Sequence, residues 1–256
     1  MVELTFLGTG TSQGIPVIAC ECQVCRSLDF RDKRLRTSVH VKINGYSLVI
    51  DTGPDFRQQM LRENITHLDA ILFTHAHKDH TAGMDDIRSF NFKHGRQMPI
   101  YATKEVIEQL KQEFAYVFSP VKYPGTPEVE LRPITKDPFT LSDGKTTVIP
   151  IEVMHYKMPV LGFRFENLTY ITDANYIPPP EMEKIKGSEV LILNALHKQP
   201  HISHFSLSQA LEVIDQIKPR MAYLTHLSHL MGLHAQVSDE LPSNVQLAYD
   251  GLKIKL

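Results

Sequence analysis

The chain has 256 residues, 42% of them hydrophobic and 22% charged, which is the composition of a globular protein with enough length for one large core, read here as a single domain over residues 1–256. A formal net charge of −2 gives no overall electrostatic footprint for nucleic acid, so a nucleic-acid partner is not expected. No apolar run reaches the roughly 18 residues of a spanning helix, and Met1-Val2-Glu3-Leu4-Thr5-Phe6 lacks the basic start and long apolar stretch of a signal peptide, so no membrane partner and a cytoplasmic location are expected.

In chain order, residues 2–7 alternate as a strand and run into Gly8-Thr9-Gly10-Thr11-Ser12-Gln13-Gly14. That turn has neither the spacing of a dinucleotide fingerprint nor the Gly-Lys-Ser/Thr of a Walker loop. It reads as a tight loop at the rim of a site, or equally as a structural turn. Cys20, Cys22 and Cys25 are the only cysteines and lie within six residues, too few and too close for a disulfide framework. Clustered thiolates suit a closed tetrahedral zinc that needs one more ligand from elsewhere, with a Cys22/Cys25 redox pair as the rival. The basic segment 31–36 reads as a solvated face.

Residues 37–43 and 46–50 flank Asn44-Gly45, a strong hairpin signal. Asp51-Thr52-Gly53-Pro54 ends the second strand and opens a helix at 55–64. Asp51 either accepts the second N–H of a metal-binding histidine or serves a cap or turn. A short apolar strand at 70–73 then leads into Thr74-His75-Ala76-His77-Lys78-Asp79-His80-Thr81-Ala82-Gly83. His75, His77, Asp79 and His80 place four metal ligands in six positions, just past the carboxyl end of a buried strand, where α/β sheets bind ligands. Imidazole and carboxylate are what a catalytic zinc-type ion takes when a position must stay open for water.

Helices are expected at 84–93 and 103–114 around a strand at 99–101, with a loop at 119–126. Strands follow at 129–134, 139–141, 146–153, 161–165 and 168–171. Two of these runs end in further candidate ligands, His155 and Asp173. The last third predicts a helix at 180–186, a strand at 189–193, a helix at 206–217 capped by Ser206, and a strand at 220–224 leading to Thr225-His226-Leu227-Ser228-His229. As a loop, that segment can send its two histidines to different centres. His197, His201 and His204 lie just before the capped helix. No internal repeat or low-complexity segment is visible.

Thr74–Gly83, His155, Asp173 and Thr225-His226-Leu227 together resemble the His-x-His-x-Asp-His pattern and downstream ligands of the metallo-β-lactamase superfamily. The Gly-Thr-Gly opening, the Cys-x-Cys-x-x-Cys cluster and Thr-His-Leu-Ser-His are similar to its phosphodiesterase branch, which contains the phosphoribosyl cyclic phosphodiesterase of phosphonate breakdown. The resemblance implies an α/β fold of the αββα sandwich type and a dinuclear centre of two divalent ions, zinc or manganese. In it His75, His77 and His155 hold one ion, Asp79, His80 and His226 the second, and Asp173 bridges them. It further implies a structural zinc on Cys20, Cys22, Cys25 and His229. His204 is implied as general acid, with Asp79 the other catalytic group.

Two ions sharing a water make hydroxide available near neutral pH and neutralise a phosphodiester under attack, while a poor alkoxide leaving group needs a proton from His204. The expected function is a metal-dependent phosphodiesterase acting on a small, even cyclic, phosphorylated substrate, in a chain with scope to form a homodimer. The alternatives are transfer-RNA 3′-end processing, thioester hydrolysis, and a non-catalytic metal-binding protein of the same fold. His40, His67, His94, His197, His201 and His234 are expected to be structural or on the surface. Specificity is expected in the loops 84–97 and 196–204.

Overall fold

The computed structural model describes every residue, Met1–Leu256. Asn44 and Gly45 both take positive φ (51° and 87°), as a two-residue hairpin turn of primed type demands, and they close β2 (Ser38–Ile43) onto β3 (Tyr46–Ile50). With β1 (Val2–Gly8), β4 (Ala70–Leu72), β5 (Met98–Ala102) and β6 (Val129–Pro133), this hairpin builds the first sheet. The second sheet holds β7 (Phe139–Thr140), β8 (Thr147–His155), β9 (Met158–Phe165), β10 (Leu168–Tyr170), β11 (Val190–Asn194), β12 (Met221–Thr225) and β13 (Val245–Leu247). The chain then returns to the first sheet as β14 (Lys253–Lys255), giving the orders β14-β1-β2-β3-β4-β5-β6 and β13-β12-β11-β10-β9-β8-β7.

Alternate residues along each strand feed different layers. Leu4, Phe6, Val39, Val41, Leu48, Ile50, Leu168, Tyr170, Val190 and Ile192 fill the space between the sheets. Leu7, Val49 and Ile71 face Phe56, Met60, Ile107 and Leu110 of the helices over the first sheet. Leu191, Leu193, Ala222 and Leu224 face Ala210, Ile214 and Val237 over the second. The result is a four-layered αββα sandwich, as the resemblance implies. The helix Leu207–Ile217 begins with the expected cap: the Ser206 hydroxyl accepts from the Gln209 N–H while the Gln209 side chain returns to the Ser206 N–H. No helix is long and apolar enough to cross a membrane.

Two short strands, β13 and β14, lie outside the expected set. Val245-Gln246-Leu247 and Lys253-Ile254-Lys255 are three-residue edge strands, and their pairing partners, β12 and β1, are what order them. The site is positioned by direction. Strands β3 to β6 run parallel to one another, and so do β10 to β13, so their carboxyl ends open along one edge of the sandwich.

Among the histidines expected to be structural, His40 is buried on β2, and its Nε2–H donates to the Ser47 hydroxyl at 2.7 Å, which donates in turn to the His67 carbonyl. Burial pushes its pKa from 6.5 down to about 4, with Lys42 adding to the shift. The unfolded chain therefore takes up a proton that the folded chain refuses. The associated stability is full above about pH 6.5 and declines by about 3 kcal/mol as pH falls to about 4. Melting temperatures of wild type and His40→Gln should therefore converge over that window, and parallel profiles would contradict this assignment.

Candidate metal centre

The chain leaves β3 at Asp51, a fully buried carboxylate at φ 65°. It accepts from the Thr74 N–H at 2.9 Å, the Thr74 hydroxyl at 2.8 Å and His80 Nδ1–H at 2.7 Å. Because the Thr74 hydroxyl has given its proton to Asp51, it accepts from His75 Nδ1–H at 2.9 Å. His155 Nδ1–H donates to the Ser203 carbonyl at 2.8 Å. Three histidines are thus fixed in one tautomer with Nε2 left as a lone-pair donor. The Nε2 atoms of His75, His80 and His226 are buried and make no hydrogen bond.

The loop carrying these histidines is clamped through its backbone. The Thr52 N–H donates to the His80 carbonyl and the Gly83 N–H to the Thr52 carbonyl, both at 2.8 Å. A Cβ on Gly53 would stand 2.1 Å from the Asp79 carbonyl oxygen and one on Gly83 2.2 Å from that of Gly53, so both positions require glycine. His80 itself lies in a short helix, Lys78–Thr81, rather than in an irregular loop.

Asp173 after β10 and His226 after β12 both have φ 56° and reach the same point. Asp173 Oδ1 lies 3.1 Å from His226 Nε2 and 3.9 Å from His204 Nδ1, while Oδ2 lies 3.3 Å from His80 Nε2. Asp79 Oδ2 is also 3.3 Å from His80 Nε2. The His77 ring sits 4.6 Å from His75 and 5.2 Å from His155, and His204 sits 4.6 Å from His155 and 4.8 Å from His226. His75, His77, Asp79, His80, His155, Asp173 and His226, drawn from both sheets, therefore form one cluster with His204 at its border. Three residues with positive φ at one site mark local backbone strain where side chains must be aimed.

Burial keeps His75 neutral, well below the usual imidazole range. Burial also opposes a charge on His80, but Asp173 and Asp51 outweigh it and raise His80 well above that range. Burial would lift Asp173, and His226 and His80 overturn that and hold it ionised. A proton on His80 thus occupies a place between carboxylates that suits a cation. Buried lone-pair nitrogens beside ionised carboxylates form a donor set matched to divalent metal ions.

A second set lies apart from this one. The sulfurs of Cys20, Cys22 and Cys25 stand 3.3, 3.4 and 3.7 Å from His229 Nδ1, and none is in a disulfide. The Cys25 N–H donates to the Cys22 sulfur and pulls that thiol down to about 6, whereas burial pushes the Cys25 thiol up to about 11. Three sulfurs around one imidazole nitrogen can close a tetrahedral zinc. His226 and His229 serve different sets because Leu227 between them is pinned: its N–H donates to the Thr9 carbonyl and its carbonyl accepts the Thr11 N–H. The Gly-Thr-Gly turn is therefore a packing element. A Cβ on Gly8 would lie 1.9 Å from the Arg36 carbonyl oxygen.

The family described as the beta-lactamase superfamily domain matches residues 46–227. The crystal structure of a new diphosphatase from the PhnP family superposes with a TM-score of 0.92 at 39% identity, covering 99% of this chain and 96% of that one. The chain belongs to the beta-lactamase superfamily and, within it, to the PhnP family. This PhnP-family chain is also 40% identical over 250 residues to an octanoyltransferase of Porphyromonas gingivalis, covering 96% of the chain but only half the length of that relative. Zinc-bound PqqB from Methylobacterium extorquens shares the fold, with a TM-score of 0.80 at 17% identity over 99% of this chain and all of that one.

Of the histidines set aside in the sequence, His67 and His94 meet edge to face with ring centroids 4.7 Å apart and His234 meets Arg34 at 3.1 Å, all away from the cluster. His201 is exposed with its ring 5.3 Å from His204, and His197 lies 5.7 Å beyond it. Sequence reasoning missed Tyr156, Lys157 and Met158, which with Ile202, Ser203, His77 and His155 line a recess of 570 Å³ beside the cluster. Of the two expected specificity loops, only 196–204 contributes to it. The available signal was the two-residue gap between β8 and β9, hidden because the second strand was expected to begin at residue 161. For the thiolate set, Cys22→Ser should lower the melting temperature and the zinc content together; a variant that keeps both would refute a metal there.

Proposed function

We propose that this PhnP-family chain is a metal-dependent phosphoric diester hydrolase acting on a small phosphorylated substrate. The observation that carries this reading is the convergence of seven nitrogen and oxygen donors from both sheets, with buried Nε2 atoms lacking any other partner. In this reading His75, His77 and His155 would hold one divalent ion and Asp79, His80 and His226 the other, with Asp173 available to both. Zinc and manganese both suit these donors, and Cys20, Cys22, Cys25 and His229 hold a further, structural zinc. The chemistry such ions supply is Lewis acidity: a more acidic water and a neutralised phosphate charge.

The protein's own groups do the rest. Asp51 orients His80 directly and His75 through the Thr74 hydroxyl. Asp79, kept ionised against its burial by His80, is placed to orient the attacking water. His204 is the proton donor to the leaving oxygen. Burial, aided by His226, pushes its pKa down to about 2 in the free protein. A phosphodiester anion beside it favours the protonated imidazole over the neutral one. The substrate enters over the recess that His77 and His155 line.

The alternatives fit less well. An acyl-transfer activity like that in the octanoyltransferase relative's name is not carried over, because the chain covers only half the length of that relative. Processing of transfer RNA would call for a surface that binds RNA, and a net charge of −2 with only the two residues Tyr156 and Lys157 between β8 and β9 offers no basic extension for it. A metal-binding protein without turnover is separated by assay.

Metal-restored protein should hydrolyse simple or cyclic phosphodiesters and lose that activity to a chelator; failure on both substrate types would sink the proposal. His204→Ala should cost about 10²–10⁴-fold with an alkoxide leaving group and far less with p-nitrophenolate, which departs without a proton. Equal losses on both would remove His204 from the acid role.

A further inference from the structure

The turn between β8 and β9 puts an aromatic residue where the backbone least favours one. Tyr156 is the first of its two residues and has φ 58°, a conformation that two-residue hairpins usually give to glycine, asparagine or aspartate. Neighbouring chain holds it there. The Tyr156 N–H donates to Asn175 Oδ1 at 2.7 Å, and the backbones of Met154 and Asn175–Tyr176 bond reciprocally at 2.9 and 2.8 Å. Held in this way, the phenol is half-exposed, and its hydroxyl makes no hydrogen bond. Lys157 Nζ lies 5.3 Å over the ring and pairs with no carboxylate.

Across the recess stands Ile202, 66% exposed, with Met158 beside it and His77 and His155 at the inner end. A strained aromatic ring, an exposed aliphatic side chain and an ammonium that rests over that ring without a carboxylate partner thus surround 570 Å³ that open directly onto the histidine cluster. An exposed tyrosine face and an aliphatic wall take a flat, apolar-faced ring between them, and the ammonium suits a nearby phosphate.

We propose that Tyr156 is a specificity-determining residue that stacks the base of a nucleotide, so that the diester hydrolysed is a nucleoside phosphate ester rather than a bare sugar phosphate. This rests on the phosphodiesterase reading for its turnover but not for its binding. The strain at Tyr156 is then accounted for by ligand recognition, since glycine would make the same turn at lower cost.

The test compares adenosine 5′-(methyl phosphate) with ribose 5-(methyl phosphate), identical apart from the base, in wild type, Tyr156→Gly and Tyr156→Phe. Binding of AMP and of ribose 5-phosphate is titrated in parallel. Wild type should show a KM about tenfold lower for the adenosine ester and a similar preference for AMP, the size expected of one base–aromatic stack. Tyr156→Gly should close that gap through KM, with kcat on the adenosine ester within about twofold, and should melt no lower than wild type. Tyr156→Phe should keep the preference. The inference is overturned if wild type does not discriminate within either pair, or if Tyr156→Gly discriminates as wild type does. Should neither ester turn over, the hydrolase reading is judged on cyclic diesters, and the paired AMP and ribose 5-phosphate titrations decide the role of Tyr156.

Discussion

One buried carboxylate organises the active edge. Asp51 has no water to solvate it, and burial raises its pKa. It is kept in place by three donors, two from Thr74 and one from His80. A buried charge that lost its partners would cost several kcal/mol, so the loop after β4 is bound to the end of β3 by an interaction that cannot be given up cheaply. The same bonds fix the tautomers of His75 and His80 and leave both Nε2 atoms bare. Stability and preparation for a cation therefore come from one contact, and the close approaches at Gly53 and Gly83 reinforce it.

The sandwich supplies the remaining donors by topology. Parallel strands in both sheets end at one edge, so Asp173 and His226 arrive opposite His80 although they lie far from it in sequence. Each turns out of its strand with a positive φ, and the packed layers below are what hold these conformations. The segment after β12 serves two sets of donors because Leu227 is tied to Thr9 and Thr11, leaving His226 on one side and His229 among the thiols. The amino-terminal turn thus links the thiolate corner to the cluster's framework.

What was legible in the sequence is what short-range chemistry determines. Asn44-Gly45 announces its hairpin, Ser206 and Gln209 announce their helix, and His75, His77, Asp79 and His80 after an apolar run announce a ligand set. The carboxyl-end positions of Asp173 and His226 followed from the apolar runs before them. Less could be read where the outcome depends on distant chain. The role of Asp51 stayed open between a cap and a histidine partner, because only packing of β3 against β4 brings Thr74 and His80 to it. The edge strands β13 and β14 have too few residues to show a period. The tight turn at Tyr156 was hidden by a strand expected to begin only at residue 161, and its interest lies in a φ value and a neighbouring recess.

The central claim is that the histidine and carboxylate cluster is a metal centre distinct from the thiolate corner. Elemental analysis of purified wild type and Asp173→Asn, each with its cysteines intact, tests it most directly. Wild type should bind more divalent metal per chain than the variant, and the variant should retain the zinc on its thiols. Equal metal content in the two proteins would contradict it.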